Sequence, residues 1–195
     1  GALNHYSGDF ILRKDGEVWI LFNVVNGEKL HILLGDQKFI GDFKPKVPEL
    51  VDLKITDKCR SGCSFCYQGS ATSGKHANYK HIETFLESMA KAEVFEIAMG
   101  GGEPTLHPQF FKILKRTKEL GMTPNFSTKN YGFFTGGNLL RLKGLVGSIG
   151  ISVSTLDDVN QYTKILDLAI ANNTYNVQYV MHYILDQHPI SNFVE

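Results

Sequence analysis

No run of apolar residues in this sequence approaches the roughly 20 needed to cross a membrane as a helix. The chain also lacks a charged-then-apolar opening segment of the secretory kind. Net charge is missing as well. Lys plus Arg and Asp plus Glu each number 20, and no basic stripe stands out. A large nucleic acid is therefore not an expected partner, while a single nucleotide stays open. Cysteine is scarce, with three in 195 residues. All three fall between positions 59 and 66, odd in number and too close together for a disulfide framework. A reducing, cytoplasmic setting fits these absences.

What is present is an ordinary globular composition, 43% apolar and 21% charged. That suffices for one sizeable domain with a small appendage. The appendage is read in residues 1–48. Phe10–Arg13, Glu17–Val25, Lys29–Leu34 and Lys38–Gly41 are short β-rich runs, separated by Lys14-Asp15-Gly16, Asn26-Gly27 and Gly35-Asp36. This predicts a small antiparallel β-meander. Lys44-Pro45-Lys46-Val47-Pro48 follows as a stiff linker, since proline cannot donate to a ladder.

Residues 49–195 change to alternating strand and helix. Strands are expected to begin near Val51, Val94, Thr123, Ser148 and Val177, at the pace of a repeated βα unit. Over Lys80–Ala92 the apolar Ile82, Phe85, Leu86, Met89 and Ala90 recur at helical spacing. A second helix opens with Pro108 and stops at Gly121. Gly132, Gly136 and Gly137 break the crossover Lys129–Lys143, which predicts a loop and then a short helix. The fourth helix has Asp157 or Asp158 as N-cap, a face of Val159, Tyr162, Leu166 and Ala169, and Asn172-Asn173 as its stop. Such units build either an open doubly wound sheet or a barrel, and periodicity does not choose between them.

The cysteines stand in Cys59-Arg60-Ser61-Gly62-Cys63-Ser64-Phe65-Cys66, directly after the first strand of this region. Parallel βα folds gather their sites there, at the carboxy ends of strands. Three thiolates can hold three irons of a cubane iron–sulfur cluster and leave the fourth iron open, whereas a closed cluster takes four. Gly62, Ser61 and Ser64 permit a tight wrap and supply amides to the sulfurs. A structural zinc is the other reading, with His76 or His81 completing a Cys3His set, although the spaced ligand pairs of zinc sites are absent.

Gly100-Gly101-Gly102-Glu103-Pro104 comes immediately after the next strand. Glycines in that place cradle a ligand or simply turn the chain, and the trailing Lys-Ser/Thr of a P-loop is missing. A carboxylate fixed beside exposed backbone suits a ligand with an ammonium group, such as an amino acid. His107 reads as a helix-opening residue rather than a ligand.

The CxxxCxxC spacing, with an aromatic just before the last cysteine, and GGEP at the end of the following strand resemble the radical S-adenosylmethionine (SAM) superfamily. The resemblance covers about Leu50 to Asp186. It implies an α/β fold, a partial (β/α)6 TIM-like barrel preceded by the β-meander. Five strands are readable, and the sixth is expected beyond Glu195, so the carboxy-terminal part of the barrel is expected outside this sequence. It implies a 4Fe–4S cluster on Cys59, Cys63 and Cys66 with SAM at the open iron. Gly101, Gly102, Glu103 and Pro104 match the motif that contacts the amino group of SAM, and Phe65 matches the aromatic near its adenine. Ser152 and Ser154 share one face of the fourth strand, where the family places contacts to ribose and carboxylate. Ser127, with Thr128 and Asn130, follows the third strand toward the same cavity. Val180 and Met181 are the candidates to pack on adenine, but the family's glycine-containing motif there is not recognisable. Tyr67, Gln68, Lys129, Tyr131 and His182 are candidates to face substrate.

The implied activity is that of a radical SAM enzyme. SAM is cleaved reductively to methionine and a 5′-deoxyadenosyl radical, which takes hydrogen from a substrate, with flavodoxin or ferredoxin as electron donor. These residues hold no further cysteine for an auxiliary cluster. Neutral charge and a meander whose edge offers strand addition make a peptide or protein the expected substrate. A nucleotide or other small metabolite, with the meander merely capping the barrel, is the alternative. A non-catalytic, zinc-stabilised binding module is the alternative of a different class.

Overall fold

The computed structural model describes residues 8–34, 43–64, 66–174 and 176–184, and the backbone of 4–6. The strand expected at Lys38–Gly41, the Gly35-Asp36 turn and the helical start at Pro189–Glu195 lie outside the described residues. Four antiparallel strands come first: β1 (Asn4–Tyr6), β2 (Phe10–Asp15), β3 (Val18–Asn23) and β4 (Lys29–Leu33), neighbours in that order. The sequence reading missed β1. Asp15 pairs with Val18, so Gly16 and Glu17 make a two-residue turn. Gly16 sits at φ 61°, a conformation costly for other residues. The next turn is wider than the Asn26-Gly27 pair predicts. The Asn23 side chain accepts from the amides of Val25 (2.9 Å) and Asn26 (3.3 Å), which ends β3 early. Ile11, Val18, Ile20 and Phe22 point inward and form a small core with Phe95.

The second sheet is parallel. Its strands are β5 (Leu50–Thr56), β6 (Glu96–Gly101), β7 (Thr123–Thr128), β8 (Ser148–Ser152) and β9 (Gln178–His182). Between them lie α1 (Tyr79–Lys91), α2 (Phe110–Glu119), α3 (Gly136–Leu142) and α4 (Leu156–Ala171). The strands neighbour one another strictly in chain order. That order is the winding of a barrel, since a doubly wound sheet reverses direction at a switch point. The ambiguity left by periodicity is thereby resolved in favour of the partial barrel.

One face of this sheet packs on the helices. Ile55, Ile97, Met99, Phe126, Ile149 and Ile151 form a single buried cluster with Ile82, Leu86, Ile113, Leu114, Leu139 and Ile165. The other face is small and polar. Asp52 pairs with Ala98, Lys54 with Gly100, Ser127 with Gly150, and Ser152 with His182. A parallel strand covered on both faces reads as a near-continuous apolar run, and these strands alternate instead. The polar face is the concave wall of the barrel.

Helix ends needed three corrections. α2 begins at Phe110 rather than at Pro108, because a 3₁₀ turn over Pro104–Leu106 precedes it. Gly136 and Gly137 lie within the first turn of α3, which Thr135 caps. The N-cap of α4 is Thr155, not Asp157 or Asp158. Asp158 is the N3 partner that accepts from the Thr155 amide in a capping box.

The meander seals the amino end of the parallel sheet. Arg13 is 1% exposed. Its Nη1 donates to the Glu93 carbonyl at 2.6 Å, and its guanidinium lies 4.2 Å from the centre of the Phe95 ring. The rings of Phe22 and Phe95 stack at 4.9 Å. Lys29 pairs with Glu96 at 2.5 Å, and the Val24 carbonyl accepts from Lys118 Nζ and Thr123 Oγ1 at 3.2 Å each. The linker is pinned as well, since the Lys46 amide donates to Asp15 at 3.0 Å. Among the described residues no helix is long and apolar enough to cross a membrane.

Candidate active site

The cysteine loop leaves β5 at Thr56 and returns to α1 beside its own start. The Asp57 amide donates to Lys75 O (2.9 Å), Cys59 N to Ala71 O (3.0 Å), and Ala77 N to Ile55 O (3.0 Å). Two histidines fasten the return arm. His76 Nδ1 shares a 2.8 Å hydrogen bond with Thr56 Oγ1, and its ring meets His107 edge-on at 5.1 Å. His107 accepts from the Gln109 amide on Nδ1 (3.1 Å), so its Nε2–H donates to Ala77 O (3.0 Å). Burial, then His107 and Lys58, hold His76 below the usual histidine value. His107 thus opens the following turn as expected and also braces the loop. His76 is engaged by Thr56, and His81 lies exposed on α1.

The three thiols are free and half-buried. The Ser61 amide donates to Cys59 Sγ at 3.4 Å. Backbone N–H groups, first that of Ser70 and then those of Gln68 and Gly69, hold the Cys66 thiol below its ordinary value against the opposing effect of burial. Amides aimed at sulfur in this way stabilise thiolates and tune a bound metal centre. Among the described residues, no three His, Cys, Asp or Glu side chains gather as a single bound ion requires. A cubane differs in spreading three cysteine ligands over three irons. Three thiols are one short of the four ligands of a structural zinc, and His76 is held by Thr56 while His81 lies exposed on α1, so the donor set fits the cluster better than zinc.

The glycine motif is locked to the root of this loop. Gly102 N donates to Thr56 O (2.7 Å) and Glu103 N to Lys58 O (2.8 Å). A Cβ on Gly101 or Gly102 would fall under 3 Å from the Thr56 or Lys58 carbonyl, and Gly101 has φ 117°. Only glycine allows this approach. Glu103 is 5% exposed. Its Oε1 accepts from Thr105 N (3.2 Å), Thr105 Oγ1 (2.6 Å) and Thr128 Oγ1 (2.7 Å), while Oε2 accepts from Lys129 N (3.0 Å). Pro104 is buried and opens the 3₁₀ turn.

The polar chain continues across the next strand ends. Lys129 Nζ donates to Ser154 Oγ at 3.0 Å and lies 3.7 Å from Asp158. Burial would raise the Asp158 carboxyl, yet the Ser154 amide, the adjoining Tyr131 hydroxyl and Lys129 hold it below the usual range. Burial, with Asp158 beside it, pushes the Tyr131 hydroxyl up. That hydroxyl donates to Ser152 O at 2.7 Å.

These parts open on one cavity of about 640 Å³. Its described lining includes Cys59, Cys63 and Cys66, together with Gly101, Gly102 and Glu103. Ser127, Ser152 and Ser154 reach it too, as do Tyr67, Gln68, Lys129 and His182. Pro104, Tyr131, Val180 and Met181 are not among the described lining, and Phe65 lies outside the described residues. The sequence reading missed Asp52, Thr105 and the second role of Asp158. An aspartate on the alternating polar face of β5 was the available signal for the first. Asp158 looked like a cap only.

Residues 53–181 match the radical SAM superfamily. The chain belongs to that superfamily. Its members are enzymes that use a 4Fe–4S cluster and SAM, so the expected cofactors are those of the family. A GTP 3′,8-cyclase of Haemophilus influenzae (strain PittEE) is 26% identical over 129 residues, 64% of this chain and 38% of that protein. The PqqA peptide cyclase of Bradyrhizobium diazoefficiens is 27% identical over 84 residues, 42% of this chain and 22% of that protein. This radical SAM chain therefore spans well under half the length of these curated relatives. Among solved structures, Streptococcus suis SuiB bound to precursor peptide SuiA shares the fold with a TM-score of 0.68 at 15% identity. That match covers 97% of this chain and 58% of SuiB.

Proposed function

We propose that this chain carries the catalytic site of a radical SAM enzyme acting on a peptide or protein. The observation that carries the reading is the joining of the cysteine loop to the Gly101–Glu103 strand end over a shared cavity. When bound, a 4Fe–4S cluster and SAM supply a 5′-deoxyadenosyl radical, formed with methionine on one-electron reduction, that takes hydrogen from substrate.

In this reading Cys59, Cys63 and Cys66 hold the cluster, and the amides of Ser61 and Ser70 stabilise their thiolate charge. Glu103 Oε2, with one donor among the described residues, receives the amino group of SAM. Lys129, steadied by Ser154 and Asp158, faces the carboxylate. Ser127 and Ser152 supply hydroxyls to the ribose. Gly101 and Gly102 keep the strand end close to the loop, and Pro104 fixes the turn behind it. The place of Phe65 near adenine rests on the sequence alone. The barrel wall excludes water and limits which C–H bond lies within reach. The electron donor, a flavodoxin or ferredoxin in a reducing cytoplasm, approaches the loop.

The relatives act on GTP as well as on a peptide and do not choose between them. What favours a peptide over a nucleotide is that both lysines of the described cavity wall already face carboxylates, Lys54 with Asp57 and Lys129 with Asp158. A phosphate chain finds no spare cation there. The meander is packed at the far end of the barrel, so the peptide reading rests on the cavity and not on strand addition at the meander edge.

Anaerobic reconstitution with iron and sulfide, followed by EPR of the reduced protein with and without SAM, tests the reading. A 4Fe–4S signal that changes on adding SAM is expected. A cluster indifferent to SAM, or protein that takes up zinc alone, overturns it.

A further inference from the structure

Among the described residues at the cavity wall, four carry formal charge: Asp52, Lys54, Glu103 and Lys129. Three have protein partners. Lys54 Nζ lies 2.5 Å from Asp57 and donates to Gln68 O at 3.2 Å. Glu103 accepts its four bonds, and Lys129 is held between Ser154 and Asp158. The Asp52 side chain, exposed to the open cavity, has no hydrogen bond or ion pair with any described residue.

Its depth sets it apart as well. Asp52 lies on β5 four residues before Thr56, where the cysteine loop begins, which is about 13 Å along an extended strand. Next to it on β6 stands Ala98, and one step nearer the loop Lys54 faces Gly100, around which a Cβ would meet nothing within 4 Å. Small residues thus leave room on the way down to the carboxylate. At the same depth on β7, Asn125 is committed, donating to Glu96 (2.9 Å) and accepting from Ser148 N (2.8 Å). The two acids and two lysines of the described wall balance, and with Lys54 and Lys129 each held by a carboxylate outside the lining, the charge not engaged by a described donor sits on Asp52.

We infer that Asp52 is the anchor for substrate in this cavity, holding the protonated amine or guanidinium of a Lys or Arg side chain in a peptide, below the level of the cofactor. This rests on the peptide-modifying radical SAM reading above and adds the side-chain class that it acts beside. A charge-assisted hydrogen bond from the cation satisfies the one charge of the described wall that has no partner among the described residues. Its geometry also fixes how far the neighbouring carbon stands from the radical source.

The experiment uses the reconstituted holoenzyme with SAM and four probes: N-acetyl-lysine methylamide, N-acetyl-arginine methylamide, their neutral counterpart N-acetyl-norleucine methylamide, and GTP. Equilibrium dialysis reads each affinity on the wild type, D52N and D52E. The cationic probes are expected to bind at least tenfold tighter than norleucine. D52N is expected to remove that preference, and D52E to retain part of it. Equal binding of the cationic probes to wild type and D52N overturns the inference. So does failure of either cationic probe to bind the wild type, norleucine binding as tightly as lysine, or GTP being the probe that D52N weakens. The SAM-dependent EPR change is recorded on the same samples. Its loss in D52N alone makes Asp52 a cofactor residue and overturns the inference. Its absence from the wild type instead overturns the radical SAM reading itself.

Discussion

The amide of Glu103 donates to the carbonyl of Lys58 at 2.8 Å. The acid of the glycine motif and the residue before the first cysteine are therefore one hydrogen bond apart, although 45 positions separate them in the chain. Whatever the two motifs hold, they hold in fixed relation.

Substitutions at the three glycines should separate sharply. Gly101→Ala puts a methyl group against the Thr56 carbonyl at a backbone angle that L residues resist, and Gly102→Ala puts one against the Lys58 carbonyl. Each is expected to cost about 2–3 kcal/mol in denaturant unfolding. Gly100→Ala, with open space around it, is expected to stay within about 0.5 kcal/mol.

Glu103→Gln preserves shape but turns an amide toward donors. One of the Thr105, Thr128 or Lys129 hydrogens is then left without an acceptor, a loss of about 1–3 kcal/mol. SAM titration followed by EPR should also show an affinity weakened by about tenfold, since the negative charge is gone.

His76 gives the cysteine loop an acid sensitivity. Its folded value lies below the ordinary 6.5, so the unfolded chain binds a proton more readily than the folded one. Stability from this group is complete above about 6.5 and declines as pH falls through and below that value. Melting temperatures of wild type and His76→Gln, compared from pH 7.5 to 5, should converge toward the acid end. Parallel curves would remove His76 from the account.

Arg13→Met tests the attachment of the meander. The substitution strips the Glu93 carbonyl of its 2.6 Å donor and leaves Asp15 without its nearby cation, a loss of about 3 kcal/mol. The EPR change on adding SAM should be the same as in the wild type, because none of these groups borders the cavity.

Elements with strong local signals were legible in the sequence. The starts of β7 and β8 fall at Thr123 and Ser148 as expected, and those of β5, β6 and β9 within two residues. The cysteines and Gly101–Glu103 meet at one cavity, as their order along the chain implied. Long-range pairings were not legible. Nothing near Asn78 marks His76 and His107 as neighbours, and nothing near Thr155 tells a capping aspartate from one that also steadies Lys129. Such contacts depend on how strand ends assemble, which no local window contains. The Asn26-Gly27 turn failed for a related reason: the Asn23 side chain claimed the amides that a tight hairpin would have used.

The antiparallel sheet grips the barrel through Glu93, Phe95, Glu96 and Thr123, all at the pole away from the cysteine loop. It is in effect a handle. A label, immobilising tether or fusion partner attached to its exposed strand faces would leave the mouth of the cavity unobstructed. Cofactor loading and turnover could then be followed on surface-captured protein.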